Sequence, residues 1–208
     1  MRRATGSNRS QPATTRVSIQ LTLDGHSFSM PAPCVIEAAL EAGDAIELLT
    51  PLTLLVPREL RAEADAAALF AASGLPLPAD ACIVEAVSAD GEHVALMGIA
   101  EKVLLQIESL GGGEKAVRYT TPLLTDMAPG KEPTVWICDT GRLLYVKVCA
   151  PALQLAEVIA VESEADRSYL LQRLVERIDA KRSVLRLEDR AGNGRLYRNF
   201  FKKIVVCA

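Results

Sequence analysis

The chain has 208 residues, half of which are hydrophobic, and its 23 basic and 26 acidic side chains leave a net charge of -3. This length and composition are sufficient for a full buried core, in one large domain or in two small lobes. The charge gives no reason to expect a nucleic-acid partner. Because no stretch has the length and apolarity of a membrane span or of a secretory signal, we expect a cytoplasmic protein without membrane association.

The five cysteines do not form a recognisable disulfide or zinc pattern. Their number is odd, no two have the spacing Cys-x-x-Cys, and three lie within apolar runs. Free, buried thiols are therefore the expected state. With only two histidines in the chain, a histidine-rich metal site is not predicted either.

The first structured element is predicted to be a β-hairpin. Hydrophobic and polar residues alternate over residues 17–23, which is typical of a strand with one buried face. Asp24-Gly25 supplies a tight turn, because glycine adopts positive φ angles without steric cost. Residues 27–30 form the returning strand, which ends at Pro31 and Pro33.

A mixture of strands and helices is predicted to follow. Residues 52–56 are rich in strand-forming residues, and residues 58–73 have the composition of a helix. The remaining elements of this part are a hairpin at 82–87 and 93–97, a helix at 98–110 and an extended segment at 117–124.

A second hairpin is predicted at residues 135–139 and 143–148, around the turn Asp139-Thr140-Gly141. A strand, or the approach to one, follows at 155–161. Because this hairpin looks like a copy of the first, the sequence suggests two related α/β lobes that face one another. A cleft between such lobes is where a ligand would bind.

The second lobe is predicted to contain one long helix. Ser163 and Asp166 have the spacing of a helix capping box. The apolar face of the helix is predicted to comprise Tyr169, Leu170, Leu171, Leu174, Val175 and Ile178. Strands at 183–187 and 204–207 flank a helix predicted at 196–202.

The best boundary between the lobes is residues 125–133, which combine two prolines, a glycine and charged side chains. Residues 1–15 are polar and lack apolar periodicity, so we expect a disordered leader there. The predicted organisation is thus a leader at 1–15, a first lobe at 16–128 and a second lobe at 129–208.

Several short motifs of the chain resemble an uncharacterised bacterial family. They are Ser-Ile-Gln-Leu-Thr-Leu-Asp-Gly-His-Ser-Phe-Ser at 18–29, Leu-Leu-Val-Pro-Arg-Glu-Leu at 54–60, Gly-Arg-Leu-Leu-Tyr at 141–145, and the helix start at 166–171. That family is a domain of unknown function with an actin-like ATPase fold. The resemblance, which covers residues 17–206, implies an α/β fold of two ribonuclease-H-like lobes with mixed sheets, each opened by a β-hairpin.

The resemblance also implies where nucleotide would bind. In the actin-like superfamily, two hairpin loops cradle phosphate with backbone amides, and their aspartates hold Mg²⁺ through water. The candidate loop residues here are Asp24, Gly25, Ser27, Asp139, Thr140 and Gly141.

Both candidate loops depart from the superfamily pattern. No residue separates the aspartate from the glycine in the first loop, and Arg142 and Leu143 stand where the second loop normally has glycines. Their side chains would block a close approach of phosphate to the backbone. Ordinary hairpin turns are therefore the favoured interpretation, and no cofactor is expected.

Three functions are compatible with the sequence. The favoured one is a non-catalytic, degenerate actin-like module that acts in protein association, with no predicted oligomeric state. The alternative is a nucleotide-dependent ATPase or phosphotransferase with atypical phosphate loops, in which Asp24 and Asp139 would hold Mg²⁺. A metal-dependent nuclease is the weakest candidate, because its reaction needs converging carboxylates and these two aspartates lie in different lobes.

Overall fold

The computed structural model describes residues 16–21, 28–111, 116–127, 132–179 and 182–207. The predicted leader and the turn residues Asp24, Gly25 and Ser27 lie outside these ranges. The described strands are β1 (Val17–Leu21), β2 (Phe28–Ser29), β3 (Ile46–Leu49), β4 (Thr53–Pro57), β5 (Ala81–Val87), β6 (His93–Ala100), β7 (Tyr119–Thr120), β8 (Thr134–Asp139), β9 (Leu143–Cys149), β10 (Leu153–Ala160), β11 (Val184–Asp189) and β12 (Lys203–Val206). The described helices are α1 (Pro33–Ala42), α2 (Arg58–Glu63), α3 (Ala66–Ala72), α4 (Glu101–Leu110), α5 (Glu164–Arg177) and α6 (Gly194–Tyr197).

These strands form three sheets. The first sheet has the order β2-β1-β3-β7, the middle sheet β4-β6-β5, and the last sheet β10-β9-β8-β11-β12. The first and last sheets are mixed, and each begins with an antiparallel pair, β1 with β2 and β8 with β9. The two predicted hairpin pairs are therefore present, one in each of these sheets.

Helix α1 and strand β3 were not predicted from the sequence. The returning strand ends before Pro31, as predicted, but Pro33 also begins helix α1 and lies in its first turn. Proline is well tolerated there, because the first backbone N–H groups of a helix have no partner within it. Gly43 ends the helix with a φ of 75°, the left-handed conformation that favours glycine.

Three predicted helices have different bounds in the structure. The helix predicted at 58–73 is two helices, because Asp65 caps α3 by accepting hydrogen bonds from the N–H groups of Ala67 and Ala68. The helix predicted from residue 98 begins at Glu101, since the preceding residues extend β6. The helix predicted at 196–202 is limited to the four residues of α6.

Gly98 shows why β6 continues where a helix was expected. Its N–H donates to the carbonyl of Leu52, and it pairs with Ile83 of β5. A Cβ atom at this position would lie 2.7 Å from the side chain of Leu77 and 3.1 Å from that of Leu52. Glycine at this position lets β6 continue beside these two leucines without displacing their side chains.

Helix α5 begins at the predicted capping box. The Ser163 hydroxyl accepts from the N–H of Asp166, and the Asp166 carboxylate accepts from the N–H of Ser163. Leu171 of the predicted apolar face is buried, whereas Tyr169 is exposed.

The cysteine prediction is also only partly right, because all five thiols are free but only Cys138 is fully buried.

The last sheet is covered on both faces. Along β8, Val135 and Ile137 pack with residues of α5 and α6 on one face. The opposite face forms an apolar interface with the first and middle sheets, here called the interface core. Its buried members are Leu49, Leu123, Trp136, Cys138, Leu143 and Tyr145.

No helix of the described residues is long and apolar enough to cross a membrane.

Candidate functional site

Only the second of the two candidate phosphate loops lies among the described residues. Asp139 is the last residue of β8, and Thr140, Gly141 and Arg142 connect it to β9. The Asp139 side chain lies on the face of the sheet that α5 and α6 cover.

The carboxylate of Asp139 is completely buried and surrounded by partners from this chain. Its Oδ2 lies 2.9 Å from Nε of Arg167 in an ion pair and accepts hydrogen bonds from the Tyr197 hydroxyl at 2.8 Å and from Nδ2 of Asn193 at 3.0 Å. Its Oδ1 accepts from the N–H of Gly141 at 2.9 Å. Both oxygens are thus engaged, as a buried carboxylate requires.

Backbone N–H groups of the turn after Asp139 are hydrogen-bonded to Asp139 and to other residues of the turn. The N–H of Gly141 donates to Asp139, that of Leu143 to the Thr140 hydroxyl, and that of Thr140 to the carbonyl of Leu143. The carbonyl of Gly141 accepts from Nη2 of Arg167 at 2.7 Å. Three N–H groups that could face a phosphate are therefore already paired within the turn.

The residues of this turn do not fit a nucleotide and its Mg²⁺. A magnesium ion held through Asp139 would compete with Arg167, Tyr197 and Asn193 for a buried carboxylate. Phosphate oxygens would have to displace the internal hydrogen bonds of the turn. Among the residues that the structure describes, no group of three or more His, Cys, Asp or Glu side chains is arranged to hold a metal ion.

Asp189 is a neighbour of Asp139 that the sequence reasoning missed. The two residues are in register on the parallel strands β8 and β11. Asp189 accepts from the N–H groups of Asn193 at 2.9 Å and Gly194 at 2.7 Å, and so fixes the loop that carries Asn193 towards Asp139. The available signal was an aspartate two residues after the strand predicted at 183–187, because parallel strands bring their carboxyl ends to one edge of the sheet.

A second polar cluster connects the last sheet to the first. We call it the Glu47 network, and it comprises Arg16, Ser18, Glu47, Glu188 and Arg190. Nη1 and Nη2 of Arg190 donate to the two carboxylate oxygens of Glu47 at 2.5 and 3.0 Å. Ser18 donates to Glu47 at 2.6 Å, and Glu188 accepts from Arg190 at 2.9 Å and from Arg16 at 3.0 Å.

The pKa of Glu47 is shifted by its burial and by its partners in the network. Burial by itself raises the pKa of Glu47, but the hydrogen bond and charge of Arg190, with help from Ser18, bring that pKa below its ordinary value. On the other face of the last sheet, outside this network, burial together with the charge of Asp139 raises the pKa of Tyr197 far above the ordinary range, so its hydroxyl remains a donor. Charged side chains that satisfy one another thus connect the first and last sheets beside the interface core.

Comparison with known structures shows the fold. No protein-family model matches the chain, and no curated protein sequence is significantly similar to it. A protein of actin-like ATPase fold and unknown function from Bacteroides thetaiotaomicron VPI-5482 is similar over 92% of this chain and 90% of that chain, with 11% identity and a TM-score of 0.64. This chain therefore has an actin-like ATPase fold, which confirms the predicted fold class and the predicted resemblance.

Two further solved structures are similar at lower TM-scores. The PilM-PilN type IV pilus biogenesis complex matches with 14% identity over 90% of this chain and 77% of that chain, with a TM-score of 0.47. The cytoplasmic domain of EpsL, an inner-membrane component of the type II secretion system of Vibrio cholerae, matches with 10% identity over 92% and 84%, with a TM-score of 0.39.

The first testable consequence concerns Asp139. We expect Asp139→Asn to lower the free energy of unfolding by about 3 kcal/mol or more, because it leaves the guanidinium of Arg167 buried without its counter-ion. Urea denaturation at pH 7 measures the effect. Asp179→Asn is the matched control, since the Asp179 and Arg182 side chains are exposed and 4.0 Å apart. A similar small effect at both positions would contradict the structural role of Asp139.

The second consequence concerns Glu47. We expect Glu47→Gln to cost roughly 2–3 kcal/mol at pH 7, because the charged hydrogen bonds to Arg190 are lost. As the folded pKa lies below the ordinary value of 4.5, this stabilisation is complete above pH 4.5 and disappears as the pH falls through the folded pKa. The difference between wild type and variant should therefore narrow below pH 4.5 in urea titrations.

The matched control for Glu47 is Glu85→Gln. Glu85 pairs with Arg61 at 2.6 Å, but both side chains are substantially exposed, so little change is expected. A pH-independent difference between wild type and Glu47→Gln would show that the charge of Glu47 does not stabilise the junction.

Proposed function

We propose that this chain is a non-catalytic actin-like module that acts in protein association and does not bind nucleotide. The observation that carries the proposal is that polar groups of the turn at 140–143 are already hydrogen-bonded within the chain. Its amides and the adjacent Asp139 carboxylate are the groups that a nucleotide site would need, and they are bound to Thr140, Arg167, Tyr197 and Asn193 instead.

The hydrogen bonds around Asp139 would make phosphate binding at the turn costly. Binding a phosphate at the turn would require breaking hydrogen bonds that are already formed and leaving their partners unpaired. Each buried polar group without a partner costs about 1–3 kcal/mol, and charged groups such as Arg167 cost more. A nucleotide would have to offset these losses before it gained any affinity.

The alternative functions receive less support. An ATPase or phosphotransferase that used Asp24 and Asp139 would need Asp139 to leave Arg167 in every catalytic cycle. A nuclease would need carboxylates around two metal ions. Asp139 and Asp189 do converge, but their oxygens are bound to donors of this chain.

Strand β12 supports an association role. It lies at the edge of the last sheet, and its Val205 and Val206 are 49% and 70% exposed. Its parallel pairing with β11, in which the Cys207 N–H donates to Leu187, directs the backbone groups of Ile204 and Val206 to the open edge. Such an edge is a template for another strand.

We assign this edge to a second copy of the chain. Two β12 edges related by a twofold axis pair in antiparallel orientation, and such an interface is self-complementary. The adjacent valines would then lie opposite apolar residues of the same strand in the other copy. The single strand makes a small interface, so the expected association is weak and depends on concentration.

Isothermal titration calorimetry with Mg-ATP tests the loss of nucleotide binding. We expect no saturable heat, because the turn amides and Asp139 are engaged within the chain. Titration with MgCl₂ alone controls for heats caused by the ion. A micromolar dissociation constant for Mg-ATP would overturn the non-nucleotide part of the proposal and revive the ATPase alternative.

Sedimentation velocity over a range of protein concentrations tests association. We expect the wild type to associate as its concentration rises and Val206→Glu to remain monomeric, because a charge at the edge opposes strand pairing. Val35→Glu is the control, since Val35 is 41% exposed but lies on helix α1. A wild type that is monomeric throughout, or equal loss in both variants, would overturn the assignment to β12.

A further inference from the structure

A cavity of about 230 Å³ lies between the middle sheet and the last sheet. Its walls come from the β5–β6 turn, the segment at 122–127, and strand β9 with the turn to β10. Apolar side chains of Leu55, Met127 and Leu153 form one part of the wall, and Lys147 forms another. The volume is below the usual range of drug-sized pockets and corresponds to a small metabolite.

Lys147 is an unusual feature of this cavity because it is a buried cation. The residue is 5% exposed, and its ammonium donates hydrogen bonds to the carbonyls of Leu123, at 2.9 Å, and Thr125. It also lies 4.8 Å from the centre of the Trp136 ring. No carboxylate of the described residues lies within ion-pair distance of it. Since an ammonium has three donors, the two carbonyls leave one for the Trp136 ring or for a ligand.

Two exposed carboxylates also belong to the wall of this cavity. Asp90 and Asp126 are exposed residues of the wall, beside His93 and Cys149. Burial lowers the pKa of Lys147 to about 8, although the charges of Cys149, Asp126 and Asp90 oppose that change. The wall of the cavity thus combines a buried cation, exposed carboxylates and apolar side chains.

We propose that this cavity binds a small apolar α-amino acid in its zwitterionic form. The carboxylate of the ligand would accept from the Lys147 ammonium, and its ammonium would face Asp126 and Asp90. Its side chain would pack against Leu55, Met127 and Leu153. This site is separate from the turn at 140–143, and it does not depend on the proposed loss of nucleotide binding.

The charge pattern selects against simpler ligands. A plain carboxylate would satisfy Lys147, but it would gain nothing from the two aspartates and would be repelled by them. A plain amine would pair with the aspartates but would meet the buried ammonium. A molecule that carries both charges complements both the lysine and the aspartates, and an apolar side chain matches the remaining wall.

Fluorescence of Trp136 provides a direct test, because it is the only tryptophan of the chain and contacts the Lys147 ammonium. We expect L-leucine to produce a saturable change at pH 7. The two half-ligands, 4-methylpentanoate and 3-methylbutylamine, should each bind at least about tenfold more weakly. N-acetyl-leucine retains the carboxylate but lacks the ammonium, as does the C-terminal residue of a peptide, and should also bind weakly.

Variants assign the signal to the cavity. Lys147→Met should abolish the response to leucine, whereas Lys202→Met, at an exposed position outside the cavity, should retain it. Asp126→Asn should weaken leucine binding by about tenfold without weakening that of 4-methylpentanoate. Because Asp126 is exposed, this variant keeps the test valid even if Lys147→Met fails to fold.

Three results would overturn the proposal. The first is the absence of a saturable change with leucine up to about 10 mM. The second is an unchanged response in folded Lys147→Met or in Asp126→Asn. The third is binding of N-acetyl-leucine as tight as that of leucine, which would assign the cavity to the carboxyl end of a peptide instead of a free amino acid.

Discussion

The buried carboxylate of Asp139 connects three parts of the second half of the chain. It binds Arg167 of α5, Tyr197 of α6 and the turn that leads into β9. A charge in this position is stable only while all of these partners remain in place. The helices, the turn and the strand are consequently fixed relative to one another by a single side chain, and the geometry of the candidate phosphate loop is fixed with them.

The last sheet connects these helices to the other two sheets, because both of its faces are covered. One face packs on the helices, and the other contributes Trp136 and Tyr145 to the interface core. The Glu47 network borders this apolar contact with charges from both sheets. Apolar burial supplies the larger share of the attraction, whereas the ion pairs specify which strands face each other.

The two proposals rest on different parts of this architecture. The loss of nucleotide chemistry follows from polar groups that are satisfied within the chain. The small-molecule site follows from the opposite condition at Lys147, a buried cation that is held by backbone carbonyls and has no described carboxylate partner. Under both proposals, an actin-like fold would retain a junction between its sheets while the position of its binding chemistry changes.

The sequence by itself determined the features that depend on neighbouring residues. Alternating residues defined β1, the turn after Asp139 defined the second hairpin, and Ser163 with Asp166 defined the start of α5, because each pattern acts over a few positions. The tertiary structure alone decided that Asp139 pairs with Arg167, 28 positions away, and that Glu47 pairs with Arg190, 143 positions away. It also decided that Pro33 begins a helix. Such choices depend on which distant groups share a buried space, and local pattern carries no information about that.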